Sequence, residues 1–303
     1  MNRAFALYRK YGVAGVARRG AQKLRATLPA KSRDEARREF VASLTPFPGA
    51  KYRIAFGPEV PNTNYMIAGI CKMLNATPEP FNDTLTDYDA VFLWEDKTIV
   101  TQANPALLNG RCTSIGKDHV AAAFAKVFGY DLSVDPEHFV GAAVMKSDEN
   151  GMHDGRIVEC PTQPVPGYVF QRAIDNFVGK SVEDLRVTVI GDEIALVIIF
   201  HRYAYERFAN VNHHGKIVPP TSVLSDDEQS SLIELARELG LDVGDFDILR
   251  DRGNGRLYVV DAAKTPFGPP KAISNRAKVE MATTLAQAFR RQFLNEADCK
   301  RAI

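Results

Sequence analysis

A small parallel α/β unit followed by a larger α+β region is the fold class this sequence predicts, and three observations predict it. Two apolar, strand-like stretches flank a helical one between residues 51 and 96. From residue 114 onward, helices alternate with pairs of strands joined by Gly-bearing turns. The chain has 303 residues, 45% hydrophobic and 25% charged, which is long for one core and ordinary for globular material.

The first 31 residues, MNRAFALYRKYGVAGVARRGAQKLRATLPAK, hold eight Lys or Arg and no acid. Phe5, Leu7, Tyr8, Val13, Val16 and Leu24 stand near helical spacing with basic residues between them. Three readings compete: a solvated helix packed on the body, a basic amphipathic helix on an anionic membrane surface or a partner protein, and an organelle transit peptide. Pro29 and the charged run Lys31–Glu39 then read as a linker or a second short helix. KYRIAFGPEV is a short strand ending in Gly57-Pro58. NTNYMIAGICKMLNA is a helix with Asn62, Thr63 or Asn64 as its cap. YDAVFLWED is a second apolar strand, and KTIVTQANPALLNGRC leads away through Asn-Pro and Asn-Gly turns.

SIGKDHVAAAFAKVFGYDL is a helix, with Ser114 placed as N-cap and Gly129 as the C-terminal glycine. FVGAAVMKSDENGMHDGRIVECP reads as a hairpin whose loop holds Asn150-Gly151 and Asp154-Gly155. GYVFQRAIDNF follows. SVEDLRVTVIGDEIALVIIFHRYAYERF contains two strands across the turn Ile190–Glu193. SDDEQSSLIELARELGL opens with Ser225 and Glu228 in capping-box spacing. GDFDILRDRGNGRLYVVD is two strands joined by Asn254-Gly255, and SNRAKVEMATTLAQAFRRQFLNEAD is a long amphipathic helix.

A formal net charge of +1 gives no reason to expect a nucleic-acid partner. Cys71, Cys112, Cys160 and Cys299 are widely spaced, which argues against a metal knuckle or a disulfide scaffold and for a reducing, cytoplasmic setting. No apolar run approaches the roughly 20 residues of a membrane span.

The chemistry concentrates in the last hairpin. Asp247 and Asp261 lie at similar distances from the Asn254-Gly255 turn, so they either face each other on one side of an antiparallel pair or one of them points to solvent. Facing carboxylates need a cation, and Mg²⁺ typically takes one or two of them with phosphate oxygens and water. Upstream, Lys146 ends an apolar strand before a Gly-bearing loop and Lys117 opens the alanine-rich helix, although either also reads as a surface lysine. Asp184 and Arg186 point to one face of their strand, Arg202 ends the next, and Asn210 comes shortly after. Cations opposite two carboxylates are what a metal-phosphate site requires. His153 and the pair His213-His214 read as loop residues.

From about Ser114 to Pro270 the ordered stretches SIGKDHVAAAFAKVFG, GAAVMKSDENGMHDG, YVFQRAID, EDLRVTVIGDEIALVIIFHR, RFANVNHHG, LARELGLDVGDFDILRD and LYVVDAAKTP resemble the ATP-grasp superfamily. Within it they are similar to the branch of glutathione synthetase and ribosomal-protein-S6 glutamate ligase. The charge pattern leaves a basic amphipathic helical extension at 1–45, and the resemblance implies a small pre-grasp α/β domain at 46–113 and two grasp subdomains, 114–170 and 171–303, enclosing a nucleotide cleft. It implies ATP and Mg²⁺ as cofactors. Lys117 and Lys146 would touch the phosphates, the stretch Gln171, Arg172, Ala173 and Ile174 would read the adenine edge, and Asp184 would sit near the ribose. Arg186, Arg202 and Asn210 would serve the transferred phosphate and the acceptor carboxylate, and Asp247 and Asp261 would hold the metal. The implied reaction phosphorylates a small carboxylate and lets an amine or thiol displace phosphate. One position departs from the family pattern. Where an amide ligand follows the strand-end acid by two residues, this chain has Ala263, and a methyl group cannot coordinate. A degenerate protein that binds nucleotide as a sensor or scaffold is therefore the alternative, with a partner-binding role for the basic helix a third. Substrate identity and oligomeric state are not legible in the sequence.

Overall fold

The computed structural model describes residues 30–85 and 87–294, so the basic stretch at the start, with its competing readings, lies outside the described residues. Helix α1 (Ala30–Ser43) comes first, so the charged run that read as linker or helix is helical. A three-stranded parallel sheet follows, in the order β2 (Glu79–Pro80), β1 (Ile54–Pro58), β3 (Ala90–Trp94), with helix α2 (Met66–Met73) in the crossover. Strands β1 and β3 are apolar almost without interruption and mostly buried, as strands of a covered parallel sheet are, whereas β2 is a short edge of Glu79 and Pro80. Phe56 stacks on Phe92 with ring centroids 5.2 Å apart, and both are essentially inaccessible.

The expected cap of α2 is not there. Tyr65, extended and without a side-chain cap, precedes the helix. The Met66 N–H instead donates to the Pro266 carbonyl at 2.9 Å, so a distant loop satisfies the helix terminus and no Asn is needed there.

Helix α3 (Lys117–Phe128) begins two residues later than Ser114 suggested, with Gly116 in the N-cap position. The Asp118 N–H donates at 2.9 Å to the Asp148 carboxylate, a cap supplied from another loop. Gly129 closes the helix in the left-handed region at φ 73°, as expected. Strands β4 (Gly141–Ser147), β5 (Arg156–Cys160) and β6 (Tyr168–Arg172) form an antiparallel sheet ordered β5-β4-β6, which contains the expected hairpin.

The largest sheet is antiparallel. Its path runs β10 (His214–Val218), β9 (Glu193–Tyr203), β8 (Ser181–Ile190), β11 (Val243–Arg250), β12 (Leu257–Ala263), with the short β7 (Phe177–Val178) pairing onto β8. Strand β10 carries no sequence signal: it is a five-residue edge strand beginning at a histidine. Helix α4 (Asp226–Leu239) has the predicted capping box between Ser225 and Glu228. Helices α3 and α4 cover one face of the sheet, where Val187, Val189, Phe246 and Ile248 meet Phe124, Leu232 and Leu235. Helix α5 (Asn275–Phe293) covers part of the other face and is shared: Leu285 and Phe289 lie in one cluster with Phe56 and Phe92 of the small sheet and Ile198 and Phe200 of the large one. Among the described residues no helix is long and apolar enough to cross a membrane.

Candidate nucleotide and metal site

The face of the large sheet that carries α5 changes character along its strands. At one end it is apolar, with Ile190, Ile198 and Val243 buried. Two residues further along β8 and β11 it turns polar. Thr188 is the cross-strand partner of Asp245, and Asp245 of Ala263. The next row reads Arg186, Asp247, Asp261. Direct partners in an antiparallel pair share a face, so Asp247 and Asp261 do meet.

A bulge makes them meet. Ile248 pairs with Val259 but Asp247 with Asp261, leaving Val260 as an extra residue in β12. The Val260 carbonyl accepts a hydrogen bond at 2.7 Å from Lys146 Nζ of the facing sheet. The lysine from β4 therefore reaches across the cleft to the strand that carries Asp261. Lys117 stands at the mouth of the same cleft, buried, its Nζ donating at 2.7 Å to the Glu149 carbonyl in the loop after β4. That loop lies close on its neighbours: a Cβ at Gly155 would come within 2.6 Å of the Phe208 ring.

Arg186 grips Asp247 with Nε and Nη2 at 2.9 and 3.2 Å, and its Nε stands 3.8 Å from Asp245. Asp245 also accepts from the Thr188 hydroxyl at 2.7 Å. Arg202 pairs with Asp184, and its Nη1 donates to the Arg207 and Ala209 carbonyls at 3.2 and 3.1 Å. Its buried Nε has no hydrogen-bond partner among the described residues. Asn176 Nδ2 donates to Asp184 at 2.8 Å, and Arg207 donates to the Ile174 carbonyl at 3.2 Å.

The acids of this grid are driven apart. Burial pushes Asp247 upward, but the Arg186 guanidinium outweighs it and the group lies below the usual carboxylate range. Asp261 lies above that range because burial is only partly offset by Lys146 and Lys117. Burial raises Asp245 to about 6 against the pull of Arg186. Burial also lowers Lys146 to about 8, opposed by Asp261. His153 is held low, since burial exceeds the help it receives from Asp261 and Asp247. It is a loop residue, as expected, but one whose field comes from the cleft.

The structure thus brings Lys146, Arg186, Asp247 and Asp261 together, with Lys117 close by and Asp184 tied to Arg202. Asn210 is exposed and follows Ala209, whose carbonyl accepts from Arg202. Gln171 is buried in the β4–β6 ladder, paired with Val144. The Arg172 N–H donates to the Leu132 carbonyl, its side chain is turned out toward Asp131 and the Phe139 ring, and Ala173 is half-buried between it and Ile174. Sequence reasoning missed Asp245, Thr188, Asn176 and Arg207. The alternation of Asp245 with Asp247 along one strand was the available signal for the first of them. His213 is engaged by Glu206 at 2.6 Å and is not part of this grid. Lys264, just beyond β12, is buried and its ammonium has no hydrogen-bond partner among the described residues.

The donor set suits a hard cation carried by a phosphate. Asp247 and Asp261 offer carboxylate oxygens on one face, which is the protein share that Mg²⁺ commonly takes, and the orphaned Arg202 donor suits an anion. No cluster of three or more His, Cys, Asp or Glu at metal-holding distance occurs among the described residues, so a metal here would depend on the nucleotide for its remaining ligands.

No family model matches the sequence, and no curated protein does. Solved structures do match in shape. The ATP-grasp ligase PsnB complexed with its minimal precursor is 15% identical, with a TM-score of 0.52, covering 80% of this chain and 99% of that one. PsnB with a phosphomimetic variant of the precursor, Mg and ADP is 14% identical, with a TM-score of 0.50, covering 80% and 98%. D-alanine–D-alanine ligase from Bacillus anthracis complexed with ATP also matches, at 15% identity and a lower TM-score of 0.47, covering 80% and 98%. With two α+β layers facing each other across a cleft and a small parallel sheet alongside, the chain has the ATP-grasp fold.

Proposed function

We propose that the chain is an ATP- and Mg²⁺-dependent ligase that activates a carboxylate as an acyl phosphate. The direct pairing of Asp247 with Asp261, beside a lysine from the opposite sheet, is the observation that carries this reading. Lys117 and Lys146 would hold phosphate oxygens, Gln171 to Ile174 the adenine edge, and Asp184 the ribose. Asp247 and Asp261 would hold Mg²⁺, whose charge neutralises the phosphates as the terminal group is transferred. Arg186 and Arg202 would steady the transferred phosphoryl group and the acceptor carboxylate, with Asn210 at the edge of that space. A carboxylate oxygen takes the γ-phosphoryl group and ADP leaves. An amine or thiol then attacks the acyl carbon and inorganic phosphate departs. The protein contributes position and charge neutralisation.

PsnB is a ligase solved with a precursor peptide, so peptides with acidic or amine-bearing side chains belong in the screen beside amino acids and small thiols. Release of ADP that requires both an added carboxylate and an added nucleophile would establish ligation. ATP binding without any stimulated ADP release across that screen would favour the second reading, a nucleotide-binding scaffold, for which Ala263 and the closed Arg186–Asp247 pair speak. Under that reading Ala263→Asn restores ADP release. Under the first, the native chain already releases ADP.

A further inference from the structure

The hydrogen bonds that hold Arg202 close on themselves. Its Nη2 donates to one oxygen of Asp184, and the other oxygen of Asp184 accepts from Asn176 Nδ2 at 2.8 Å. Asn176 Oδ1 accepts from Arg207 Nη1, and the Arg207 carbonyl accepts from Arg202 Nη1 at 3.2 Å. One ring thus joins β8, the end of β9, the loop after it and the residue before β7. Asn176 is 2% exposed, and its Nδ2 also donates to the Glu183 carbonyl at 2.7 Å, which fixes the orientation of its amide. Arg207 is tied in turn to the stretch proposed for the adenine, through Nη2 and the Ile174 carbonyl at 3.2 Å.

A guanidinium is planar, so holding both terminal nitrogens fixes the direction of the remaining Nε–H. In Arg202 that donor is buried and has no hydrogen-bond partner among the described residues. A buried donor left unpaired is costly, and an anion would satisfy it. The strand register places the side chain on the cleft face. Val182 pairs with Arg202 and Asp184 with Phe200, in the same alternation that puts Arg186 beside Asp247 and Asp261. We infer that Arg207 and Asn176 are positioning residues that aim the Arg202 Nε–H at the phosphoryl group in transit. The inference rests on the proposed ligase site and names what aims one of its cations. A donor held in place before transfer needs no reorganisation when charge develops.

The test uses the full chain labelled with ¹⁵N at arginine, loaded with Mg²⁺ and ADP and titrated with inorganic phosphate. The Arg202 Nε–H resonance is assigned by its loss in Arg202→Lys. In the native chain it should be sharp and should shift as phosphate binds. Arg207→Met removes the donors to Asn176 and Ile174. It should broaden that resonance and weaken phosphate binding about tenfold or more, with ADP affinity kept within about threefold. Arg207→Lys keeps a donor for Asn176 and should recover part of the loss. A merely structural role for Arg207 would lower stability and leave the resonance where it was. A native-like resonance and phosphate affinity in folded Arg207→Met overturns the inference, and so does a native resonance that phosphate leaves unmoved. Should Arg207→Met not fold, Asn176→Asp opens the ring at Asp184 with little change of size. A weakened phosphate affinity there supports the inference, and a native-like one overturns it. If the native chain binds no ADP with Mg²⁺, the nucleotide-site reading falls and takes this inference with it. If ADP binds and Arg202 behaves alike in native chain and variants, only the inference falls.

Discussion

Lys146 is half-buried, and its ammonium donates its hydrogen bond to a neutral carbonyl, that of Val260. Burial therefore lowers it to about 8, with Asp261 pulling the other way. A lysine with a lowered folded pKa binds fewer protons when folded than unfolded, so its contribution to stability rises with pH between about 8 and the ordinary value near 10.4. A triphosphate beside it would favour the charged form. At about pH 9 the free protein has lost a proton that the complex keeps, so nucleotide binding should take a proton up from solvent, whereas near pH 6.5 this group contributes no uptake. Calorimetric titration of ATP in buffers of different ionisation enthalpy measures that uptake. Lys146→Met should abolish it, and uptake unchanged in the variant would place the titrating group elsewhere.

At the scale of elements, helix α5 ties the two sheets together. Phe289 is fully buried and stacks on Phe92 of the small sheet at 5.7 Å. Phe289→Ala should lower the unfolding free energy by about 3–5 kcal/mol with an unchanged denaturant slope. A loss under about 1 kcal/mol would mean that the small sheet is not fastened through this helix. The hairpin β11–β12 shows how far a sequence can be followed. The ladder starts from the pair Arg250–Leu257; Asp247 lies three residues before Arg250 and Asp261 four after Leu257, and that uneven count is what the bulge at Val260 absorbs. Equidistance from the turn was legible. The bulge that turns both acids to one face was not, because bulges leave no fixed residue signature. Asp245 was visible as an alternating acid, but its partners Thr188 and Ala263 follow from the strand register, which the sequence does not state. Ser114 and the Asn62–Asn64 run were read as caps by residue type. The helices begin later because Asp148 and Pro266, distant in sequence, reach their first N–H groups. Strand β10 escaped notice because an edge strand needs no apolar alternation.

Across the whole molecule, charge is sorted that a net value of +1 conceals. The described part places Lys117, Lys146, Arg186 and Arg202 around the Asp247–Asp261 pair, so cations line the cleft between two sheets while the cores behind it stay apolar. The strand-helix-strand opening and the alternation of helices with hairpins were readable as periodicity, and the nucleotide cleft was expected from resemblance over residues 114–270. The assembly of its walls depends on contacts between distant segments, such as Lys146 with Val260, which no local pattern encodes. The central claim is that Asp247 and Asp261 hold the magnesium of a nucleotide in this cleft. It is tested most directly by calorimetric titration of ATP into the native chain and into Asp261→Asn, each with and without Mg²⁺. The account predicts that Mg²⁺ tightens ATP binding to the native chain by about tenfold or more and that the substitution removes most of that gain. Equal ATP affinity with and without Mg²⁺ in the native chain would contradict it.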